Sequence, residues 1–206
     1  MLTKESSKIV ELLGRNPAEH HQIARLGKLI GKKSYSWIFN QVKRLEKEGI
    51  VILEKKGMAN FCSLNFENPL TFEYLSYAEA MKLKSQKLPT REIKKIFNLM
   101  PEKYFTLIIT GSYAKGGAEK DSDLDTVVVV NEKKAVKETL NVLLEKGGLM
   151  IPKIHPYVFT KTEFLRMLLS KEANYVKLAE RNRIIVFGAA NYYLMLKEAI
   201  AHGFNG

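Results

Sequence analysis

The sequence predicts an α+β chain built as two modules joined by a helical segment. Three observations lead there. Helical hydrophobic spacing followed by two short β-rich runs fills residues 1–67. A second pair of apolar, β-branched runs, residues 104–110 and 124–130, brackets a glycine-containing charged stretch in the second half. Between the two regions, residues 68–88 carry apolar residues on a broad helical face and no Gly/Ser-rich run, which describes a packed helix rather than a flexible linker. The expected division is therefore residues 1–67, 68–88 and 89–206.

The elements follow in order. Ile9, Leu12 and Leu13 mark an amphipathic helix stopped at Gly14, and a short Asn16-Pro17 turn leads into residues 19–30. There Ile23, Leu26, Leu29 and Ile30 recur at helical spacing until Gly31. Residues 34–49 repeat the pattern with Ile38, Val42 and Leu45, joined in the core by Trp37; Ser34 or Ser36 caps the start and Gly49 ends it. Residues 50–54 and 61–65 read as strands around a basic hairpin tip, residues 55–60. In the connecting helix, Phe72, Leu75, Tyr77, Met81 and Leu83 form the apolar face, and Pro89 breaks it before a helix over residues 90–99.

The second module opens with a strand over residues 104–110, stopped at Gly111, and a strand over residues 124–130, ended by Asn131. A helix over residues 133–146 runs into the Gly147-Gly148 break. Residues 149–160 read as a further strand. Pro152 and Pro156 place it at a sheet edge, because proline has no N–H to give to a central ladder. Thr160 and Glu163 stand at capping-box spacing and open a helix through Leu169. Residues 183–188 form a last strand and residues 191–202 a last helix, with Tyr192, Tyr193, Leu196 and Ile200 in the core.

The chemistry gathers between the two central strand runs. Side chains alternate along a strand, so Asp123 and Asp125 leave the same face at the start of the second run and offer two hard oxygen ligands to one point. Mg²⁺ takes one or two protein carboxylates and completes its octahedron with water and phosphate oxygens. Across the gap, Gly111 permits close backbone approach, and the N–H groups of a strand-to-helix turn, with the Ser112 hydroxyl, make an anion-binding concavity. Metal on one side and phosphate on the other point to phosphoryl chemistry.

Composition bounds the remaining choices. The 206 residues carry a formal net charge of +11, which favours polyanionic partners. A single cysteine, Cys62, excludes an internal disulfide framework, fits a reducing compartment and reads as a small buried hydrophobe. No apolar window spans a bilayer, and the N-terminus has charged Lys4, Glu5 and Lys8 in place of a signal-peptide core. A cytoplasmic protein with no membrane partner is expected.

Two resemblances sharpen this reading. Gly111-Ser112, Ala114, Gly116 and Ser122-Asp123-Leu124-Asp125, in the pattern Gly-Ser-x10-Asp-x-Asp, are similar to the signature of the nucleotidyltransferases related to DNA polymerase β, especially their minimal members. The resemblance covers about residues 89–188. It implies a palm-like mixed sheet with flanking helices, and transfer of a nucleoside monophosphate from an NTP to a hydroxyl with release of pyrophosphate. It also implies that Gly111 and Ser112 hold the triphosphate, with Lys115 as a further phosphate contact, and that Asp123 and Asp125 bind Mg²⁺ or Mn²⁺. The family usually adds a third carboxylate from a later strand. Here the corresponding register holds His155, a candidate third ligand or general base.

Residues 1–67 resemble a winged helix-turn-helix, a DNA-binding fold. The resemblance assigns the third helix as the recognition element, with Lys33, Ser34, Tyr35, Ser36, Asn40, Gln41, Lys43 and Arg44 facing DNA after Lys32, and Lys55 and Lys56 meeting phosphate from the wing. Twelve Lys or Arg against seven Asp or Glu give this region a net +5, too dilute to separate DNA from protein contacts. A homodimer through the connecting helix would serve a two-fold reader. Three functions compete. One is an active transferase, with AMP the first candidate, acting on a protein or small-molecule hydroxyl. Another is a transcriptional regulator whose degenerate transferase domain senses nucleotide. The third is an antitoxin that adenylylates a HEPN-type toxin, whose pattern the Gly-Ser-x10-Asp-x-Asp stretch is similar to.

Overall fold

A computed structural model of the chain describes residues 3–31 and 34–206. It is a mixed α+β structure with two sheets. Internal packing divides it into two compact units, Met1–Met81 with Leu196–Gly206, and Lys82–Met195.

The first unit begins with α1 (Lys4–Arg15), fixed at its start by a reciprocal cap in which the Ser6 N–H donates to Thr3 Oγ1 at 3.2 Å and the Thr3 N–H to Ser6 Oγ at 2.8 Å. Ile9, Val10 and Leu13 turn one face of α1 into the core, each fully buried. β1 (His21–Gln22), α2 (Ile23–Leu29) and α3 (Tyr35–Lys47) follow. Ser34 caps α3 by accepting the Trp37 N–H at 3.3 Å. β2 (Val51–Lys56) and β3 (Ala59–Leu64) close an antiparallel hairpin, and β1 adds to the far side of β3 in the order β1-β3-β2. Cys62 is buried there, and burial pushes its thiol pKa up to about 12, so it behaves as the small hydrophobe expected.

Several local expectations change in this unit. The helix expected over residues 19–30 starts only at Ile23, because His21 and Gln22 pair with Cys62 and Phe61 as a short strand. Leu29, read as a core position, is 58% exposed, and Trp37 is half-buried. The basic hairpin tip is also narrower than residues 55–60. Lys55 and Lys56 lie within β2, paired with Asn60 and Ala59, and Gly57-Met58 makes the turn with Gly57 at φ +61°. Helix α4 (Leu70–Ser85) falls within residues 68–88, with Phe72 and Leu75 buried but Tyr77 exposed.

The second unit is organised by a four-stranded sheet in the order β6-β5-β4-β7. After α5 (Thr90–Leu99) come β4 (Thr106–Ile109), α6 (Gly111–Lys115), β5 (Leu124–Val130), α7 (Lys133–Gly147), β6 (Ile154–Thr160), α8 (Lys161–Leu169), α9 (Tyr175–Arg181), β7 (Ile184–Phe187) and α10 (Ala189–Ala201), whose residues from Leu196 on count with the first unit. β4 runs antiparallel to β5 and β7, while β5 and β6 are parallel through the α7 crossover. Leu107, Ile109, Leu124, Val128, Val130, Ile154 and Ile184 form a continuous buried face against Ile93 and Ile96 of α5 and Ala135 and Leu143 of α7. β6 sits at an edge as its prolines require, although the strand begins at Ile154 and residues 149–153 are a loop. Thr160 and Glu163 form the expected capping box, with the Glu163 N–H donating to Thr160 Oγ1 at 3.1 Å and the Thr160 N–H to Glu163 Oε2 at 2.9 Å. The last helix starts at Ala189, two residues ahead of its expected start; Tyr192, Tyr193 and Leu196 are fully buried and Ile200 half-buried.

Candidate functional site

The sheet places three chain segments at one end. β4 arrives there at its last residues, and the antiparallel β5 and its parallel neighbour β6 both begin there. The Thr110 N–H donates to the Asp125 backbone oxygen at 3.0 Å, which ties the end of β4 to the mouth of β5. Gly111 then turns the chain at φ +66° into α6, a backbone conformation that glycine adopts freely. Its missing side chain matters as much as its φ. A Cβ built on Gly111 would land on the Asp125 carboxylate, so this turn and this acid share one space.

The Gly111 N–H donates to the hydroxyl oxygen of Thr110 at 2.6 Å, and Ser112 is half-buried at the start of α6. Gly116 closes α6 in the left-handed region at φ +73°, and Lys115 is exposed. On the opposite side, the Ser122 hydroxyl accepts the Glu119 N–H at 2.8 Å and shapes the loop into β5. Asp123 stands exposed one residue ahead of the strand, while Asp125 is its second residue, with its side chain 26% exposed. Parallel pairing of β5 with β6 brings His155 level with Asp125. Their side chains meet, His155 Nδ1 lying 3.1 Å from Asp125 Oδ1. Gly111, Asp125 and His155 are thus brought to one corner with Asp123 at its rim, whereas Lys115 has no contact that would place it in the site.

A second layer supports this corner. The His155 and Tyr157 rings lie 4.9 Å apart, and Tyr157 stacks on Tyr175 with centroids 3.7 Å apart and planes at 24°. Tyr175 opens α9, which Asn174 caps by accepting the Lys177 N–H at 3.1 Å while its own amide donates to Met167 O at 2.7 Å. Burial, followed by the negative charge of Asp125, pushes the Tyr175 phenol above the ordinary tyrosine range, and the nearby Thr110 hydroxyl acts the other way. Neither α9 nor Tyr175 was anticipated from the sequence. The usable signal was Asn174 ahead of Val176 and Ala179, a cap followed by helical apolar spacing.

The donor set suits a hard divalent cation. Asp123 and Asp125 are two carboxylates of the kind that Mg²⁺ commonly takes from protein. Among the described residues no three His, Cys, Asp or Glu side chains converge as a metal-holding group. A cavity of about 500 Å³ opens beside Asp123, lined by Lys120, Ser122, Leu149, Ile151 and Lys153 among others. Mononucleotide-sized ligands occupy spaces of this order.

Comparison with known families decides the class of this unit. Residues 90–188 match the model of the family described as "Nucleotidyltransferase domain". This stretch is similar to a nucleotidyltransferase domain. The match runs from the first residue of α5 past the end of β7 and includes every residue of the corner. No curated protein and no solved structure matches the chain. The match supports nucleotidyl transfer as the general function of this stretch, and implies an NTP as substrate.

The residues proposed for DNA lie in the first unit. Tyr35, Ser36, Asn40, Lys43, Arg44, Lys55 and Lys56 are exposed and Gln41 is half-buried, while Lys33 and Lys32 lie outside the described residues. Several are already engaged. Ser34 is exposed but uses its oxygen as the α3 cap, Tyr35 OH accepts from Asn60 at 2.7 Å, Lys43 pairs with Glu46 at 2.8 Å, and Lys56 pairs with Glu54 at 3.0 Å. Among the described residues no helix is long and apolar enough to cross a membrane.

Proposed function

We propose that the second unit transfers a nucleoside monophosphate, AMP as first candidate, from an NTP to a hydroxyl on a protein or small molecule. One observation carries the reading. The glycine turn and the Asp125 carboxylate occupy adjoining space so tightly that no side chain fits at position 111. A triphosphate approaching the Gly111-Ser112 backbone would therefore lie against the acid.

Asp123 and Asp125 would hold Mg²⁺ or Mn²⁺, which neutralises charge on the transferred phosphoryl group and its leaving pyrophosphate when bound. The remaining work falls to the chain itself. Ser112 and the backbone at the start of α6 orient phosphate oxygens, and the Thr110 to Asp125 backbone bond keeps turn and acid in register. The cavity beside Asp123 gives the acceptor an approach, with Lys120 and Lys153 favouring an anionic partner. Incubation with α-labelled NTPs and candidate hydroxyl acceptors tests this. Transfer of label with equimolar pyrophosphate supports it, and release of inorganic phosphate alone refutes it.

A second reading, a nucleotide sensor with little turnover, draws on His155, which occupies Asp125 Oδ1 at the register where the family pattern carries a third acid. Nucleotide binding without turnover in the wild type, with turnover appearing in His155→Asp, would select it. For the first unit we infer a winged helix-turn-helix that presents α3 and the β2–β3 hairpin to DNA. Three helices with an antiparallel β1-β3-β2 sheet support that reading, as do the exposed Asn40, Arg44 and Lys55. Binding of the full chain to duplex DNA, with a salt dependence that weakens in Lys55→Gln, tests it.

A further inference from the structure

The Tyr175 hydroxyl is buried and has no hydrogen-bond partner among the described residues. Buried polar groups are nearly always paired, so an unpaired one beside a candidate site asks for an explanation. Around this one oxygen stand the two halves of the corner. The Asp125 charge acts on the phenol, and the Thr110 hydroxyl, which already receives the Gly111 N–H, is near enough to act on it as well. The ring itself has little freedom. It stacks on Tyr157, and the helix that carries it is anchored through Asn174 to Met167 O and through Lys177, which donates to Ser170 O.

We propose that Tyr175 is a positioning residue for the transferase centre, its hydroxyl donating to the Asp125 carboxylate when that acid holds a divalent cation and nucleotide. The idea rests on the transferase reading above. Asp125 then has two fixed neighbours, the His155 imidazole at Oδ1 and a phenol held by stacking, and its remaining lone pairs face the ligand. The Thr110 hydroxyl stays with the Gly111 N–H, so the same tyrosine also buttresses the turn that would receive phosphate. A tyrosine serves here where phenylalanine would stack equally well, because only the hydroxyl can donate to a carboxylate.

Tyr175→Phe tests this directly, since the ring and its stacking remain. Full-length wild type, Tyr175→Phe, Tyr157→Phe and Asp125→Asn are titrated calorimetrically with ATP, GTP, CTP and UTP at a series of Mg²⁺ concentrations, and their thermal unfolding is recorded. In Tyr175→Phe the Mg²⁺ concentration that half-saturates nucleotide binding is expected to rise about tenfold, with the melting temperature little changed and the affinity at saturating Mg²⁺ near wild type. Tyr157→Phe is expected to bind as the wild type does. Equal Mg²⁺ dependence in Tyr175→Phe and wild type, alongside lost binding in Asp125→Asn, would overturn the role of Tyr175 alone. Absence of Mg²⁺-dependent nucleotide binding in the wild type would instead overturn the transferase reading and this inference with it.

Discussion

The two units use polar residues in opposite ways. At the Asp125 corner, residues from three segments far apart in sequence touch one another and leave no room for a neutral substitution: a glycine turn, an acid and a histidine share one space. On the first unit, most polar residues of α3 and the hairpin are exposed, and some are satisfied locally, Lys43 by Glu46 and Lys56 by Glu54. Contacts assembled by the fold against its own entropy ask for a functional reason, whereas paired surface lysines are what any soluble face carries. Function is therefore argued more strongly for the second unit than for the first.

The sharpest way to break this contrast is to remove the acids. Asp123→Ala or Asp125→Ala is expected to lower nucleotidyl transfer by roughly a hundredfold or more, measured as pyrophosphate release, while circular dichroism stays that of the wild type. Gly111→Ala should damage both activity and stability. Its left-handed backbone costs a residue with Cβ about 1–2 kcal/mol, and the new carbon displaces Asp125. A melting temperature lowered by several degrees together with weakened NTP binding would agree; an unchanged protein would show that turn and acid are not closely packed.

Smaller effects separate structural from functional polar residues. Thr160→Ala removes the cap of α8 and should cost about 1 kcal/mol, read from denaturant unfolding, with transfer activity retained. Its pH dependence has a definite sign. Hydrogen bonds from the Thr160 backbone and hydroxyl hold Glu163 below the ordinary glutamate range, so this contribution is present above the unfolded pKa and is lost as pH falls through the lowered folded value. The gap between wild type and Thr160→Ala should narrow in acid. The smallest effect is expected on the first unit. Lys55→Gln with Lys56→Gln should reduce DNA affinity only severalfold and lower the salt slope by about 2, and no change at all would point the first unit toward protein partners.

What the sequence made legible follows physical locality. β5 could be read to its last residue because a run of valines bounded by Asp and Asn admits little else, and the α8 cap could be read because both partners lie three residues apart. Asp123, Asp125, Gly111 and His155 were legible as types at a spacing. The 3.1 Å contact of His155 with Asp125 was not, because it depends on parallel register across the α7 crossover. β1 escaped notice for a similar reason. Two residues, His21 and Gln22, carry no β pattern of their own and become a strand only because β3 offers them an edge. Tyr175 was missed because its importance lies in an oxygen buried beside residues some fifty and more positions away, which no local pattern encodes.

The most direct test of the transferase centre is transfer of label from an α-labelled NTP by the wild type and by Asp125→Asn, with and without Mg²⁺. Asparagine keeps the size of the side chain and removes its charge. Label transferred with equimolar pyrophosphate by the wild type in Mg²⁺, and nearly none by Asp125→Asn, is the expected result. Equal transfer by both proteins would contradict the assignment of Asp125 and, with it, the role of the whole corner.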